Sequence, residues 1–243
     1  MYLNCLRTHP LNFINNLKNV LAGQSVWIIG SDPTLNEYPD DFMKDKNGIA
    51  LHLAYEKFQT DFTYANELDR VKYLNKQPGY VDKQNIFGFP FYGKTIDESV
   101  PYLNPTCWLL NLTPFPPNGR LMDIHTEEGQ DALRLMVYKA KQHKSVTFGG
   151  YGTCLHGAIF SALWMGINEL NIIGCGFQTI EGQNHFSKAE KLDKEQRPNN
   201  LNFSDNAYNE RVLATEVIIN EMKKCNITVH WYKTASEILW LRS

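Results

Sequence analysis

The sequence has few cysteines, no long apolar run and no excess of either charge. Its five cysteines form no CxxC pair, which argues against a disulfide framework and a zinc ribbon. No apolar run approaches the length of a membrane span, and no basic-then-apolar stretch resembles a signal peptide. The net charge of −2 gives no basis for non-specific binding to nucleic acid. We therefore expect a cytoplasmic protein without nucleic-acid partners, and attachment to the inner face of a membrane stays open.

What the chain does contain is an ordinary globular composition, with 43% apolar residues over 243 positions. This predicts a single α/β domain spanning residues 1–243. Seven short runs have the apolar character of buried strands. They are VWII from Val26, NGIALHLAY from Asn47, TDFTYAN from Thr60, NIFGFPF from Asn85, CWLLNL from Cys107, LNIIGCGF from Leu170 and ITVHWY from Ile227.

Helical patterns lie before, between and after these runs. They are LNFINNLKNVLAG from Leu11, EEGQDALRLMVYKAKQH from Glu127, LHGAIFSALWMG from Leu155, NAYNERVLATEVIINEMKKC from Asn206 and SEILWL from Ser236. Alternating apolar strands and helices predict a Rossmann-like, doubly wound fold, in which a mostly parallel sheet carries helices on both faces.

One stretch interrupts this alternation. Residues 182–206 are rich in charge, Asn and Gln and have almost no apolar spacing. A polar stretch of this length inside a compact domain is typical of a lid, a binding loop or disorder. Because it follows the carboxyl end of a strand, we predict a lid or flexible insertion.

The loop GSDPTL after the first strand is the first candidate site, since open parallel sheets bind ligands at the carboxyl ends of their strands. Its backbone N–H groups, with Gly30, Ser31 and Thr34, could bind an anion. The alternative is a plain turn capped by Asp32 or Thr34. Neither GxGxxG nor a P-loop is present, which disfavours a dinucleotide or P-loop site.

A second candidate loop, GGYGTC, runs from Gly149 to Cys154. Glycines such as Gly152 let a backbone approach a ligand closely, and Thr153 can cap the next helix or donate to a phosphate. Tight packing is the alternative role for these glycines. Two such loops in one domain favour a ligand of the nucleotide type.

His185 is the candidate general base, because it has polar neighbours, begins the predicted lid and titrates near neutral pH. A surface histidine without a catalytic role is the alternative. His52, His156 and His230 fall in apolar runs, for which we expect hydrogen-bonded structural roles. No metal-ligand spacing occurs, so we expect neither a metal nor a cofactor.

Several segments resemble one family of enzymes. VWIIGSDPTL is similar to the first strand and loop of small bacterial sialyltransferases that use CMP-sialic acid, and of glycosyltransferases of the motility-accessory-factor group. GTCLHGAIFSALWMGINELNIIGCGF, TIEGQNHFSK and NITVHWYKTASEIL resemble later blocks of these enzymes, in the same order. The resemblance departs from the family pattern at Ser31, Asp32 and Gly176, which replace an asparagine, a glycine and an acidic residue.

The resemblance implies transfer of a sialic or related nonulosonic acid from a CMP-activated donor to an acceptor hydroxyl, without a metal. His185 would be the base, and Lys188 and Arg197 would stabilise the leaving phosphate. The acceptor would be a glycan, a glycolipid or a protein, and a homo-oligomer is compatible. The implied donor-binding residues are Gly30, Ser31, Thr34, Asn66, Gly152, Thr153, Cys154 and Gly176.

Two alternative functions stay open at this stage. A pterin diphosphokinase-like phosphotransferase shares the expected fold and would need ATP and Mg²⁺, although the chain has no clear acidic pair. A noncatalytic module that binds a nucleotide or a glycan would suit the glycine at position 176.

Overall fold

Where the structure describes the chain, seven parallel strands form one sheet. The computed structural model describes residues 16–89, 107–111, 123–144, 153–177, 180, 185–186, 188–189, 191 and 205–239. The strands are β1 (Ser25–Ile29), β2 (Gly48–Leu51), β3 (Phe62–Ala65), β4 (Gln84–Phe89), β5 (Cys107–Asn111), β6 (Glu169–Ile173) and β7 (Thr228–Trp231). They lie side by side in the order β5-β4-β3-β2-β1-β6-β7. All seven predicted strands are present, and the predicted Rossmann-like α/β fold is confirmed.

In the described ranges, α-helices and 3₁₀ helices accompany the strands. The α-helices are α1 (Leu68–Leu74), α2 (Glu127–Lys141), α3 (Cys154–Trp164), α4 (Asp205–Lys224) and α5 (Ser236–Leu239). The 3₁₀ helices are η1 (Pro33–Glu37), η2 (His52–Glu56) and η3 (Tyr80–Asp82). The predicted first helix is wrong where the structure describes it, because residues 16–23 form turns, and α1 lies in a stretch for which we predicted no helix.

The two faces of the sheet are covered differently. One face packs against α2, α3 and α4, whose apolar side chains meet Val26, Ile28 and Ile172 in one core cluster. We call it the long-helix face. On the other face, Ile29 and Ile173 pack against η1, η2, η3 and short segments that include Phe186 and Ala189. We call it the short-helix face. Successive residues of a strand point to opposite faces, and β1, β2 and β6 accordingly supply residues to both clusters.

Strand order reverses between β1 and β6, which lie side by side in the sheet. Their carboxyl ends touch. Gly30 N–H donates to Ile173 O at 2.8 Å, and a Cβ on Gly30 would lie 2.0 Å from Gly174 O. Gly30 therefore permits the close packing of two strand ends at the switch point, where sheets of this kind bind ligands.

Helix boundaries follow local sequence signals. Thr126 caps α2 by accepting from Gly129 N–H, and Thr153 caps α3 by accepting from Leu155 N–H. Acidic residues occupy the first turn of α2 and lysines the last, as the helix dipole favours. Within the described ranges, no helix combines the length and apolarity needed to span a membrane.

Candidate functional site

The loop after β1 is organised by Asp32. Asp32 Oδ1 accepts from Thr34 N–H at 3.0 Å and also from the Thr34 hydroxyl. Its other oxygen accepts from Gly176 N–H, beyond the end of β6. The carboxylate thus caps η1 and joins the two strand ends at the switch point. The interpretation of GSDPTL as a turn capped by Asp32 is confirmed.

Asp32 also limits where an anion can bind. It occupies the N–H and hydroxyl groups of Thr34, whose side chain is 1% exposed. Burial raises the pKa of Asp32, whereas its hydrogen bonds to Thr34 and Gly176 act in the opposite direction. An ionised Asp32 would repel a phosphate. The donor-binding roles of Gly30, Thr34 and Gly176 stay predictions, and in this arrangement all three residues serve the packing of the strand ends.

Ser31 faces the segment that contains the candidate base. Its hydroxyl oxygen lies 3.0 Å from His185 Nδ1, although 154 positions separate the two residues. Ser31 O also accepts from Phe186 N–H at 2.9 Å. Phe186 is buried on the short-helix face. These contacts bring the beginning of the predicted lid to the switch point.

A second polar cluster lies at the carboxyl ends of β2 and β3. Cys154 Sγ, at the first residue of α3, is 3.0 Å from His52 Nε2 and 2.7 Å from Asn66 Oδ1. Asn66 N–H donates to His52 Nε2 at 3.2 Å. We call these three residues the Cys154 cluster. Each is partly accessible, so the cluster presents a thiol, an imidazole and an amide at the ligand-binding edge of the sheet.

The protonation states within this cluster follow from its hydrogen bonds. Because Nε2 of His52 accepts a backbone N–H, that nitrogen is unprotonated. Burial and the nearby Glu67 carboxylate raise the pKa of Cys154 well above its usual value. The thiol is therefore neutral and serves as a weak donor. His52 has a φ of 45°, an uncommon backbone conformation for a residue other than glycine.

Cys175 lies beside the switch point. Its sulfur is 2.4 Å from the position that a Cβ on Gly30 would take. Burial raises the pKa of Cys175, and the neighbouring Asp32 carboxylate raises it further. The switch point and the Cys154 cluster lie along the same edge of the sheet, because β3, β2, β1 and β6 are adjacent parallel strands.

The remaining predicted residues divide into two groups. Gly152 and Arg197 lie outside the described residues, as do Gly149, Gly150 and most of the predicted lid. Lys188 is described, and its Nζ lies 2.7 Å from Glu56 Oε2. Its predicted contact with a phosphate stays a prediction. The predicted lid overlaps α4 at its end, since that helix begins at Asp205.

Sequence reasoning assigned His52 a structural role and so missed its place in the site. The usable signal was its position directly after the buried run Gly48–Leu51, where a parallel strand reaches the ligand-binding edge. The structural role expected for His156 is confirmed, because its Nε2 lies 3.0 Å from Thr215 Oγ1 inside the core. Among the residues that the structure describes, no three His, Cys, Asp or Glu side chains form a metal-binding group.

Comparisons with protein-family models, curated protein sequences and solved structures find no match to this chain. Arguments about its function therefore depend on the residues themselves and on the fold.

Proposed function

We propose that the chain is a metal-independent glycosyltransferase that moves a sialic or related nonulosonic acid from a CMP-activated donor to an acceptor hydroxyl. One observation carries the proposal. His185, predicted to be the base, lies against Ser31 at the switch point of the sheet. The contact between the predicted donor-binding residues Asn66 and Cys154 adds support, because it lies along the same edge.

The proposed reaction is a single displacement at the anomeric carbon. The acceptor oxygen forms a bond to that carbon as the bond to the CMP phosphate oxygen breaks. His185 takes the proton of the acceptor hydroxyl, which is typically worth about 10²–10⁴-fold in rate. For this role, Nδ1 of His185 donates to Ser31 Oγ, which can accept it, and Nε2 then carries the lone pair that accepts the proton.

The donor phosphate is best accommodated away from Asp32. The first turn of α3 contains no acidic residue, and its backbone N–H groups begin beside Thr153 and Cys154. Helix N-termini of this kind favour anions. In the proposal, the Cys154 cluster makes uncharged hydrogen bonds to the donor, since its thiol is neutral. The carboxylates of Asp32 and Glu67 lie at the two ends of this edge and would repel a ligand that carries more negative charge.

The first test is a thermal-shift comparison of CMP, CMP-sialic acid, GDP and ATP, each with and without Mg²⁺. We expect CMP and CMP-sialic acid to raise the melting temperature without Mg²⁺. A shift that requires ATP and Mg²⁺ would instead support the phosphotransferase. No shift with any of the four would support a noncatalytic module with another ligand.

The second test separates binding from chemistry. His185→Ala should lose about 10²-fold or more in transfer rate and keep the CMP shift. The matched control is His230→Ala, which alters an exposed histidine on the edge strand β7 and should change neither property. Unchanged turnover in His185→Ala would remove His185 from the role of base. Ser31→Ala should lower the rate less, because water can replace its hydroxyl.

A further inference from the structure

The carboxylate of Glu56 is buried beneath the segment that contains His185. Its side chain is 7% exposed, and Oε2 lies 2.7 Å from Lys188 Nζ. Oε1 is buried without a hydrogen-bond partner among the described residues. Burying a carboxylate is costly unless a countercharge compensates it. Lys188 supplies that charge from the surface, where its own side chain is 60% exposed.

The described part of the 185–191 segment has few other attachments to the domain. Phe186 and Ala189 are buried against the short-helix face. Phe186 N–H bonds to Ser31 O, and the His185 ring lies against the Ser31 hydroxyl. Two apolar side chains and these polar contacts join a short segment to the sheet. The ion pair between Lys188 and Glu56 is the charged contact that joins this segment to the rest of the structure.

Glu56 is itself held in place, because it ends the 3₁₀ helix η2. His52 begins that helix and contacts Cys154 and Asn66. The next residue, Lys57, donates to Leu35 O of η1 at 2.7 Å. η2 and the residue after it therefore contact both parts of the site. The Glu56 carboxylate at the end of η2 is a fixed partner for Lys188, which belongs to the segment that contains His185.

We propose that Glu56 is a positioning residue that, through Lys188, holds His185 and Phe186 against Ser31. The docking follows from the contacts of these residues alone. Only its consequence for catalysis rests on the proposed function, in which His185 is the base. Without the ion pair, the imidazole spends less time at the switch point, while the donor-binding edge near Cys154 stays intact.

The test is a double-mutant cycle of Lys188→Met, Glu56→Gln and the two together, with Lys191→Met as the matched control. Lys191 is an exposed lysine of the same segment. Hydrogen exchange of the Phe186 amide reports docking directly, since that amide bonds to Ser31 O. Lys188→Met leaves the carboxylate without its countercharge and should speed exchange on the order of tenfold. In the double variant, the exchange rate of the Phe186 amide should rise by less than the two single-variant increases multiplied together. In Lys191→Met, this rate should equal that of the unmodified protein.

The kinetic arm measures kcat and the affinity for CMP in the same variants. Lys188→Met should lower kcat while CMP affinity stays within about twofold of the unmodified protein. Slow exchange of the core β1 amides confirms that each variant is folded. Unchanged exchange at Phe186 in both single variants, or strictly additive effects, would overturn the inference. Faster exchange in a protein that binds no CMP would support the docking role and count against the proposed function.

Discussion

The two faces of the sheet are stabilised in different ways. The long-helix face buries apolar side chains of α2, α3 and α4 in a continuous cluster. The short-helix face is covered by 3₁₀ helices and short segments that polar contacts join, such as Asp32 with Thr34 and Lys57 with Leu35. Each described part of the candidate site includes an element next to the short-helix face. At the switch point this element is the loop of Ser31, and in the Cys154 cluster it is η2, which begins at His52. The long-helix face supplies Cys154 at the start of α3, and the short-helix side supplies Ser31, His52 and the residues around His185.

The largest expected effect comes from neighbouring residues on β1 that point to opposite faces. Ile28 belongs to the long-helix cluster and Ile29 to the short-helix cluster, and both are fully buried. We expect Ile28→Ala to lower the free energy of unfolding by about 4 kcal/mol and Ile29→Ala by about 2.5 kcal/mol. The difference arises because short segments relax around a cavity more readily than packed helices do.

Urea unfolding of both variants under one set of conditions measures this difference. Equal losses would mean that the two faces are equally rigid. Ile29→Ala should also speed hydrogen exchange of the Phe186 amide, whereas Ile28→Ala should leave it unchanged below the unfolding transition.

A smaller effect is expected from the buried polar pair His156 and Thr215, which joins α3 to α4 on the long-helix face. Burial, and then the charge of Arg211, lowers the pKa of His156 to about 3. In the unfolded chain, histidine titrates at about 6.5. Between these values the unfolded state binds the extra proton, so stability is lost as the pH falls. We expect a loss of about 2 kcal/mol from this group between pH 7.5 and pH 5.

The measurement is urea unfolding at pH 7.5 and pH 5 for the unmodified protein and for His156→Gln. Glutamine cannot take up the proton, so this variant should lose about 2 kcal/mol less stability over the same interval. The carboxylates contribute the same background to both proteins. Identical losses would show that the His156 imidazole is protonated in the folded state at pH 5.

The smallest effect is expected for Lys57, which joins two short elements of the short-helix face. Its Nζ donates to Leu35 O, and burial lowers its pKa. Lys57→Met keeps much of the apolar stem and removes the hydrogen bond, which should cost about 1 kcal/mol. Lys44→Met, at an exposed lysine, is the control and should change stability by less than about 0.5 kcal/mol. A loss in Lys57→Met as small as in the control would show that this bond does not stabilise η1.

The fold was more predictable than the site. Strands such as Val26–Ile29 are short and apolar because both faces of a parallel sheet are covered, and that property is visible in the residues themselves. Thr126, with acidic residues after it and lysines at the far end, marks α2 for the same local reason. The short 3₁₀ helices have no such periodicity, and η2 was read as a continuation of β2.

The site depended on contacts between distant positions. Asn66 and Cys154 were candidates separately, but their contact spans 88 positions. His52 looked structural because it lies in an apolar run, and no local pattern marked Glu56. Strand order decides which loops become neighbours, and no local pattern records that order.

The sequence by itself determined which segments are strands and where the long helices α2, α3 and α4 lie, because propensity, periodicity and capping act over a few residues. The tertiary structure alone decided that His52 meets Cys154, that His185 lies against Ser31 and that Glu56 is buried beneath Lys188. Those pairs form because parallel strands align their carboxyl ends along one edge, which brings residues that are far apart in the chain within contact distance of one another.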